Sequence, residues 1–309
     1  MASIISEHRK SQVLQLDDAD SLADTYRTAD LGYMQTTPGK LEARICRTST
    51  PRVEVSDASY EAGVLLTAEH RYPRFGLGIG VTGDTQLLGA SLTNSNVGYI
   101  GGYNGVIARL GRNTRWCNIT IDWTLLQEVA ATHRYNIPHG DDSRPVPSRL
   151  HDKLAHSLSL VARGKTMGEL NNAQFEDEMA LTVLRALNPP LNPKHNIKAS
   201  ARRSLVLQVI DYIHTNYQGR MTITSLCNIA AVSERSLQYI FLDATGLSVQ
   251  KFLMNFRLNQ AYKLLKKGRV SSVKEACQAS GIPHAGRFST YFKQLFDEYP
   301  ADILARSGR

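Results

Sequence analysis

The sequence predicts an α+β protein: strands in front, helices in the middle, and an all-helical back. Three observations predict it. From about Leu41 to Asp122, β-branched and aromatic residues are interrupted roughly every 8–12 residues by Gly, Asn, Asp or Pro, the spacing of a sandwich or small barrel. From Trp123 to Leu187 the apolar residues recur at helical spacing. Beyond the run NPPLNP at 188–193, which cannot continue a helix, the whole chain reads as helix. These textures divide the chain into 1–187 (strands at about 41–122, helices at about 123–187), a linker at 188–199 and a last domain at 200–309.

Taken in order, Asp18–Tyr26 carries one short amphipathic helix pattern. Short strands are expected at Leu41–Cys46, Arg52–Val55, Gly63–Thr67, Gly76–Val81, Val97–Ile100, Gly105–Leu110 and Cys117–Ile121. Helices follow at Trp123–Arg134, Ser148–Arg163 and Asn171–Leu187, separated by a loop that holds Pro138, Gly140, Pro145 and Pro147. The last two present apolar stripes (Leu150, Leu154, Leu158; Met179, Val183, Leu187) that suit pairing of two copies into a homodimer. After the linker, Leu205, Val206, Val209, Ile210 and Ile213 form one stripe that stops at Gly219.

Composition bounds the class. With 309 residues, 42% apolar and 21% charged, the chain has the make-up of a globular protein of about two domains. No apolar run reaches the ~18 residues of a membrane span, and MASIISEHRK is not a signal peptide, so no membrane partner is expected. Cys46, Cys117, Cys227 and Cys277 stand too far apart for a metal clamp, and fit a reducing cytoplasm. Charge is uneven: residues 200–309 hold 15 Lys and Arg against 7 Asp and Glu, whereas residues 1–199 hold 21 of each. The whole excess of +8 therefore sits in the last third, as expected of a polyanion-binding part behind a neutral one.

Two similar units lie in that basic third, about 50 residues apart. In the first, Thr224 is the expected cap of a short helix with Leu226, Cys227 and Ala230, and Ser233 caps a second with Leu237, Ile240 and Phe241 buried, ending at Thr245-Gly246. In the second, Ser272-Val273-Lys274-Glu275 reads as a capping box, the turn falls at Gly281, and the next helix buries Phe288, Tyr291, Phe292 and Leu295 before Pro300. Ser248–Lys266 is an amphipathic connector between them. A short helix, a tight turn and a longer helix is the arrangement that lays the second helix in a major groove.

These residues resemble the AraC/XylS transcription regulators. The resemblance covers 200–309 and rests on Leu226-Cys227, Ser233, Leu237, Phe241, ATGLS at 244–248, FRLNQAYKLL at 256–265, and Gly281-Ile282 followed by Phe288, Phe292 and Lys293. Within the family it runs to the ethanolamine-utilisation regulators, through SLCN at 225–228, RLN at 257–259 and HAGRFSTYFKQLF at 284–296. Ile282 departs from the family's usual phenylalanine, and Ala285 and Gly286 are short where base-reaching side chains often stand. The resemblance implies an amino-terminal sensor and dimerisation domain built as a small cupin-like β-barrel with following helices. It also implies an activator that meets promoter double-stranded DNA and RNA polymerase under a small-molecule effector. The alternatives are a DNA-targeted enzyme of the alkyl-transfer repair type, which the isolated cysteines disfavour, and an effector-free dimeric DNA-binding protein.

Carried onto this chain, the first reading helix offers Arg235, Ser236, Gln238 and Tyr239, and the second His284, Arg287, Ser289 and Thr290. Arg can grip guanine and Gln adenine bidentately in the major groove. Lys251, Arg257, Lys263, Lys266, Lys267, Arg269 and Lys293 are candidates for phosphate contact, Lys266 and Lys267 foremost. In front, Arg109, Arg112 and Arg115 form a basic cluster suited to an anionic effector, against the plainer reading of a solvated rim. Tyr99, Tyr103, Trp116 and Trp123 are expected to line or fill the barrel. Gly78–Gly83 is formally GxGxxG but runs into Asp84-Thr85-Gln86 and more strand, so it reads as a hairpin and no dinucleotide site follows. His151 and His156 fall on different helix faces, and no HxH, nucleophile elbow or P-loop occurs; no catalytic residue, metal or cofactor is expected.

Overall fold

The computed structural model describes residues 9–24, 29–70, 73–101, 106–137, 143–187, 197–283 and 285–307. Among the described residues, twelve strands lie in the front of the chain: β1 Lys10–Leu16, β2 Ala29–Gln35, β3 Ala43–Ser49, β4 Val53–Tyr60, β5 Val64–His70, β6 Arg74–Thr82, β7 Thr85–Leu87, β8 Ala90–Leu92, β9 Asn96–Ile100, β10 Val106–Leu110, β11 Thr114–Asp122 and β12 Ser143–Pro147. They form two antiparallel sheets, of seven strands (β1-β3-β4-β11-β6-β9-β12) and five (β2-β5-β10-β7-β8). The expected barrel is therefore corrected: among the described residues the two sheets face each other and do not close. The edges explain why. β8 has three residues, too few to extend a ladder, and β12 carries Pro145 and Pro147, which have no N–H to donate.

Alternation along each strand sends its side chains into two cores. On β11, Cys117, Ile119 and Ile121 point to one face and Trp116 to the other; on β4, Val53 and Val55 oppose Ala58 and Tyr60. The core between the sheets holds Ile45, Tyr60, Val64, Leu87, Val106, Leu110 and Trp116. Of the aromatics expected there, Tyr99 and Trp123 belong instead to the outer core, and Tyr103 lies outside the described residues. The glycines at 76, 78 and 80 all face the inter-sheet side of β6, where a Cβ would meet Ile100, the Trp116 ring and Thr85 respectively. That close approach, rather than phosphate binding, accounts for the Gly-rich run. Gly78→Ala drives a methyl into the Trp116 indole and should cost about 1–3 kcal/mol, read as a lowered urea midpoint.

Helices α2 (Trp123–His133), α3 (His151–Ala162) and α4 (Asn172–Ala186) cover the outer face of the large sheet, and α1 (Ala19–Asp24) lies beside β2. Asp122 caps α2, and Asn171 caps α4 in a capping box with Gln174. Leu154, Leu158, Met179, Val183 and Leu187 are all buried against Phe75, Leu77, Ile79 and Ile119. The stripes expected to pair two copies are thus consumed inside one chain, and of them only Leu150 stays exposed, at 37%.

The back of the chain is α5 Ile197–Asn216, α6 Ile223–Ala230, α7 Glu234–Thr245, α8 Val249–Lys266, α9 Val273–Ala279, α10 Ala285–Phe296 and α11 Pro300–Ser307. Of the expected linker, 188–196 lies outside the described residues and α5 begins at Ile197. Thr222, not Thr224, caps α6, exchanging bonds with Ser225. Ser233, Ser248 and Ser272 cap α7, α8 and α9, while Glu275 reaches back to the Ser271 N–H, one residue beyond the capping-box position. Gly246 ends α7 at φ 71°, a left-handed conformation that costs glycine nothing. One core joins α5, α6, α7 and α8 to Met34, Leu65 and Ile107 on the outer face of the small sheet; another joins α8, α9, α10 and α11.

Candidate nucleic-acid interface

The two halves of the chain meet where the small sheet touches the carboxy-terminal ends of α7 and α10. The tip of the β7–β8 hairpin is so close to α7 that a Cβ on Gly89 would collide with the Asp243 carbonyl. Loop 36–40 grips α10: Gly39 N and Gln35 Nε2 both donate to the Leu295 carbonyl, at 3.1 and 2.8 Å. Asn259 of α8 completes the free edge of β2, accepting from Gln35 N at 3.0 Å and donating to its carbonyl at 3.1 Å. A cavity of about 680 Å³ opens beside this contact, walled by Tyr33, Met34, Phe256, Asn259 and Tyr262. Burial pushes the Tyr262 phenol up to about 12.

The amino-terminal halves of α7 and α10 remain open. Arg235 is exposed, Gln238 half-buried and Tyr239 61% exposed. Ser236 is drawn into the cap, its hydroxyl 2.9 Å from that of Ser233 and its N–H donating there at 3.2 Å. On α10, Arg287 and Thr290 are exposed one turn apart and Ser289 is half-buried; His284 lies outside the described residues. Two neighbours escaped the sequence reading. Leu242, 52% exposed, continues the Arg235–Tyr239 stripe and was legible from helical spacing. Arg202 of α5, whose guanidinium stands 5.4 Å over the Tyr239 ring, had no local signal, because the meeting of α5 and α7 is tertiary.

The phosphate candidates separate. Lys251 and Arg269 are exposed. Arg257 is buried and donates to the Tyr217 and Gly219 carbonyls at 2.8 Å each, a staple for the end of α5. Lys293 pairs with Asp297 at 3.0 Å. Lys263 and Lys267 meet Asp20 at 2.9 and 2.8 Å, and Lys266 meets Asp17 at 2.6 Å and Asp18 at 2.7 Å. Lys266 and Lys267 therefore dock the acidic run at 17–20 onto α8 instead of standing free for DNA. Burial pushes the Asp18 carboxyl up, but hydrogen bonds from Lys266 and Ser21 outweigh it and hold the group below its ordinary value.

The expected arginine cluster does not assemble. Arg109 pairs with Asp84 at 2.5 Å and lies against Gly246, and Arg112 donates to the Pro38 carbonyl at 2.6 Å. Arg115 faces the helices that cover its own large sheet, bound to Asp57 through Nε and Nη2 at 2.8 Å each and to Ser159 of α3 at 2.7 Å. Successive turn and strand positions send the three side chains in different directions, each toward a partner of its own.

The match to known proteins falls on these helices. The Helix-turn-helix domain family covers residues 226–306. The HTH-type transcriptional regulator GlxA of Rhizobium meliloti (strain 1021) is 29% identical over 103 residues, 33% of this chain and 32% of that protein. The XylDLEGF operon transcriptional activator 1 of Pseudomonas putida is 29% identical over 101 residues, 32% of this chain and 30% of that protein. A probable AraC family transcriptional regulator of known structure from Rhodopseudomonas palustris CGA009 is 30% identical, over 34% of this chain and 97% of that one, with a TM-score of 0.32. The chain thus matches about a third of the length of its curated relatives. That third holds α6 to α11 with the exposed faces of α7 and α10, and through it the chain carries the helix-turn-helix domain of the AraC/XylS family of transcription regulators.

Proposed function

We propose that the protein is a sequence-specific DNA-binding transcription regulator, with α6–α7 and α9–α10 acting as two helix-turn-helix units on promoter DNA. One observation carries this reading. The amino-terminal halves of α7 and α10 present Arg235, Tyr239, Arg287 and Thr290 outward, while Leu237, Phe241, Phe288 and Phe292 pack the opposite faces. The amino-terminal ends of such helices are the parts that contact base edges. Connector α8, 18 residues, is about 27 Å long. Major-groove faces recur every ~34–36 Å along one side of a duplex, so two units set about its ends suit successive grooves.

The likeness to an operon transcriptional activator favours activation, working with RNA polymerase at the promoter. Control by a small effector is supported by the 680 Å³ cavity, whose size lies within the range of ligand sites and whose walls come from both halves of the chain. A homodimer needs a surface other than the α3 and α4 stripes. No helix among the described residues is long and apolar enough to cross a membrane, in keeping with a cytoplasmic regulator. Cys117 is a poor alkyl acceptor, since burial pushes its thiol up to about 12, and Cys46 and Cys277 are buried as well.

The test is binding of the full chain to a pool of random duplexes, followed by variants on the selected site. Arg235→Ala and Gln238→Ala should each relax preference at one base position, losing about 1–3 kcal/mol of discrimination. Lys251→Ala should weaken all sequences alike and flatten the salt dependence. If Arg235→Ala and Gln238→Ala behave like Lys251→Ala, α7 is not a reading helix.

A further inference from the structure

We infer that Arg202 is a positioning residue for DNA reading, holding Tyr239 in the orientation in which α7 presents it; this rests on the function proposed above. Arg202 stands on α5, outside the matched residues 226–306. Its guanidinium carbon lies 5.4 Å from the centre of the Tyr239 ring, and its Nη1 lies 3.9 Å from Asp243 Oδ2. Tyr239 and Asp243 are one helical turn apart, so a single guanidinium bridges both on the outward side of α7.

The arrangement is too exposed to be a stability device. Arg202 and Asp243 are 45% and 46% exposed, and ion pairs in that setting contribute little to folding. What it does supply is order. A 61%-exposed tyrosine on a helix surface has more than one staggered rotamer open to it, whereas a planar cation over its ring favours one. Guanidinium suits this better than ammonium, because its broad flat group lies over the ring while one end stays within ion-pair distance of Asp243. The same contact offsets the charge of the Asp243 carboxylate, which on the function proposed above stands one turn beyond Tyr239 on the face turned to DNA. Arg202 thus fixes the side chain that reads and removes a repulsion at the end of the reading face.

The test uses the full chain and the duplex selected by the wild type from a random pool. Arg202→Ala should flatten preference at the same base position that Tyr239→Ala flattens, by about two- to fivefold. The double variant should lose no more preference than Tyr239→Ala alone, and the melting temperature of Arg202→Ala should stay within about 2 °C of the wild type. Arg202→Lys, which keeps the charge and loses the plane, should resemble Arg202→Ala. Adding Asp243→Asn to Arg202→Ala should recover overall affinity but not preference. Uniform weakening of all sequences by Arg202→Ala, or wild-type preference in Arg202→Lys, overturns the inference and leaves the proposed function standing. A wild type with no sequence preference removes both.

Discussion

Asp57→Ala should destabilise the front of the molecule by about 3 kcal/mol, the lower end for breaking a buried ion pair. The carboxylate is 4% exposed and ties β4 to β11 and α3. It accepts from Arg115 Nε and Nη2, from Ser159 at 2.7 Å, and from Arg163 at 3.1 and 2.9 Å. Removing it strands two cations over an apolar core. Their partial exposure, 35% and 39%, lets water take up part of the loss, which is why the lower figure applies. Arg115→Ala should cost less, since Arg163 and Ser159 remain. Burial raises the Asp57 carboxyl, but the hydrogen bonds from Arg115, Ser159 and Arg163 overcome it and hold the group well below the ordinary carboxylate range. A depressed folded value means the contribution is complete above the unfolded value of about 4 and is lost as pH falls from there toward the folded value. Asp57→Asn should therefore remove part of the acid-dependent loss of stability below about pH 4. Tryptophan fluorescence during urea unfolding reads this region, because both tryptophans, Trp116 and Trp123, lie in it. An unchanged midpoint for Asp57→Ala would refute the account.

Phe241→Ala should cost about 3–5 kcal/mol in the back of the molecule. The ring is fully buried, stands edge-on to Phe252 at 5.1 Å, and lies in the core that α5 to α8 share with Met34, Leu65 and Ile107. The cavity left by a phenyl cannot collapse easily, because helices wall it on one side and a hydrogen-bonded sheet on the other. Far-UV circular dichroism should show the helices melting early. Tryptophan fluorescence should shift less, since Trp116 and Trp123 sit in the other two cores of the front. A loss below about 1 kcal/mol would mean that the site repacks and that this core is not what holds α7 against the sheet.

Much of the local structure was legible because its causes are local. Ser233 and Ser272 cap the helices expected of them, Gly246 closes α7, and β3 to β6 and β9 to β11 appear where turn residues bracket β-branched runs. The elements that escaped are those whose signal is weak in physical terms. β1 shows solvent on most of its length, so KSQVLQL needs no apolar alternation. β7 and β8 are three residues each, shorter than one period of any pattern, and β12 is a proline-bearing edge. Helix α11 starts at Pro300, a residue that reads equally as the stop of one helix and the first turn of the next.

The sequence by itself determined the passage from strands to helices, most of the helices of the last third and their charge, and the family those features resemble. It determined them through short-range causes: alternation, caps, turn residues and composition. Only the tertiary structure decided which surfaces remain free. The stripes of α3 and α4 look like an interface until the large sheet covers them. Lys266 and Lys267 look like phosphate contacts until Asp17, Asp18 and Asp20, some 250 residues earlier, meet them. Arg109, Arg112 and Arg115 look like one cluster until a turn and two sheet faces part them. A side chain's charge and period are written in its neighbours along the chain, but its partner is chosen by packing across hundreds of residues. That choice settles whether the same lysine is left free for a phosphate or is taken up by a carboxylate.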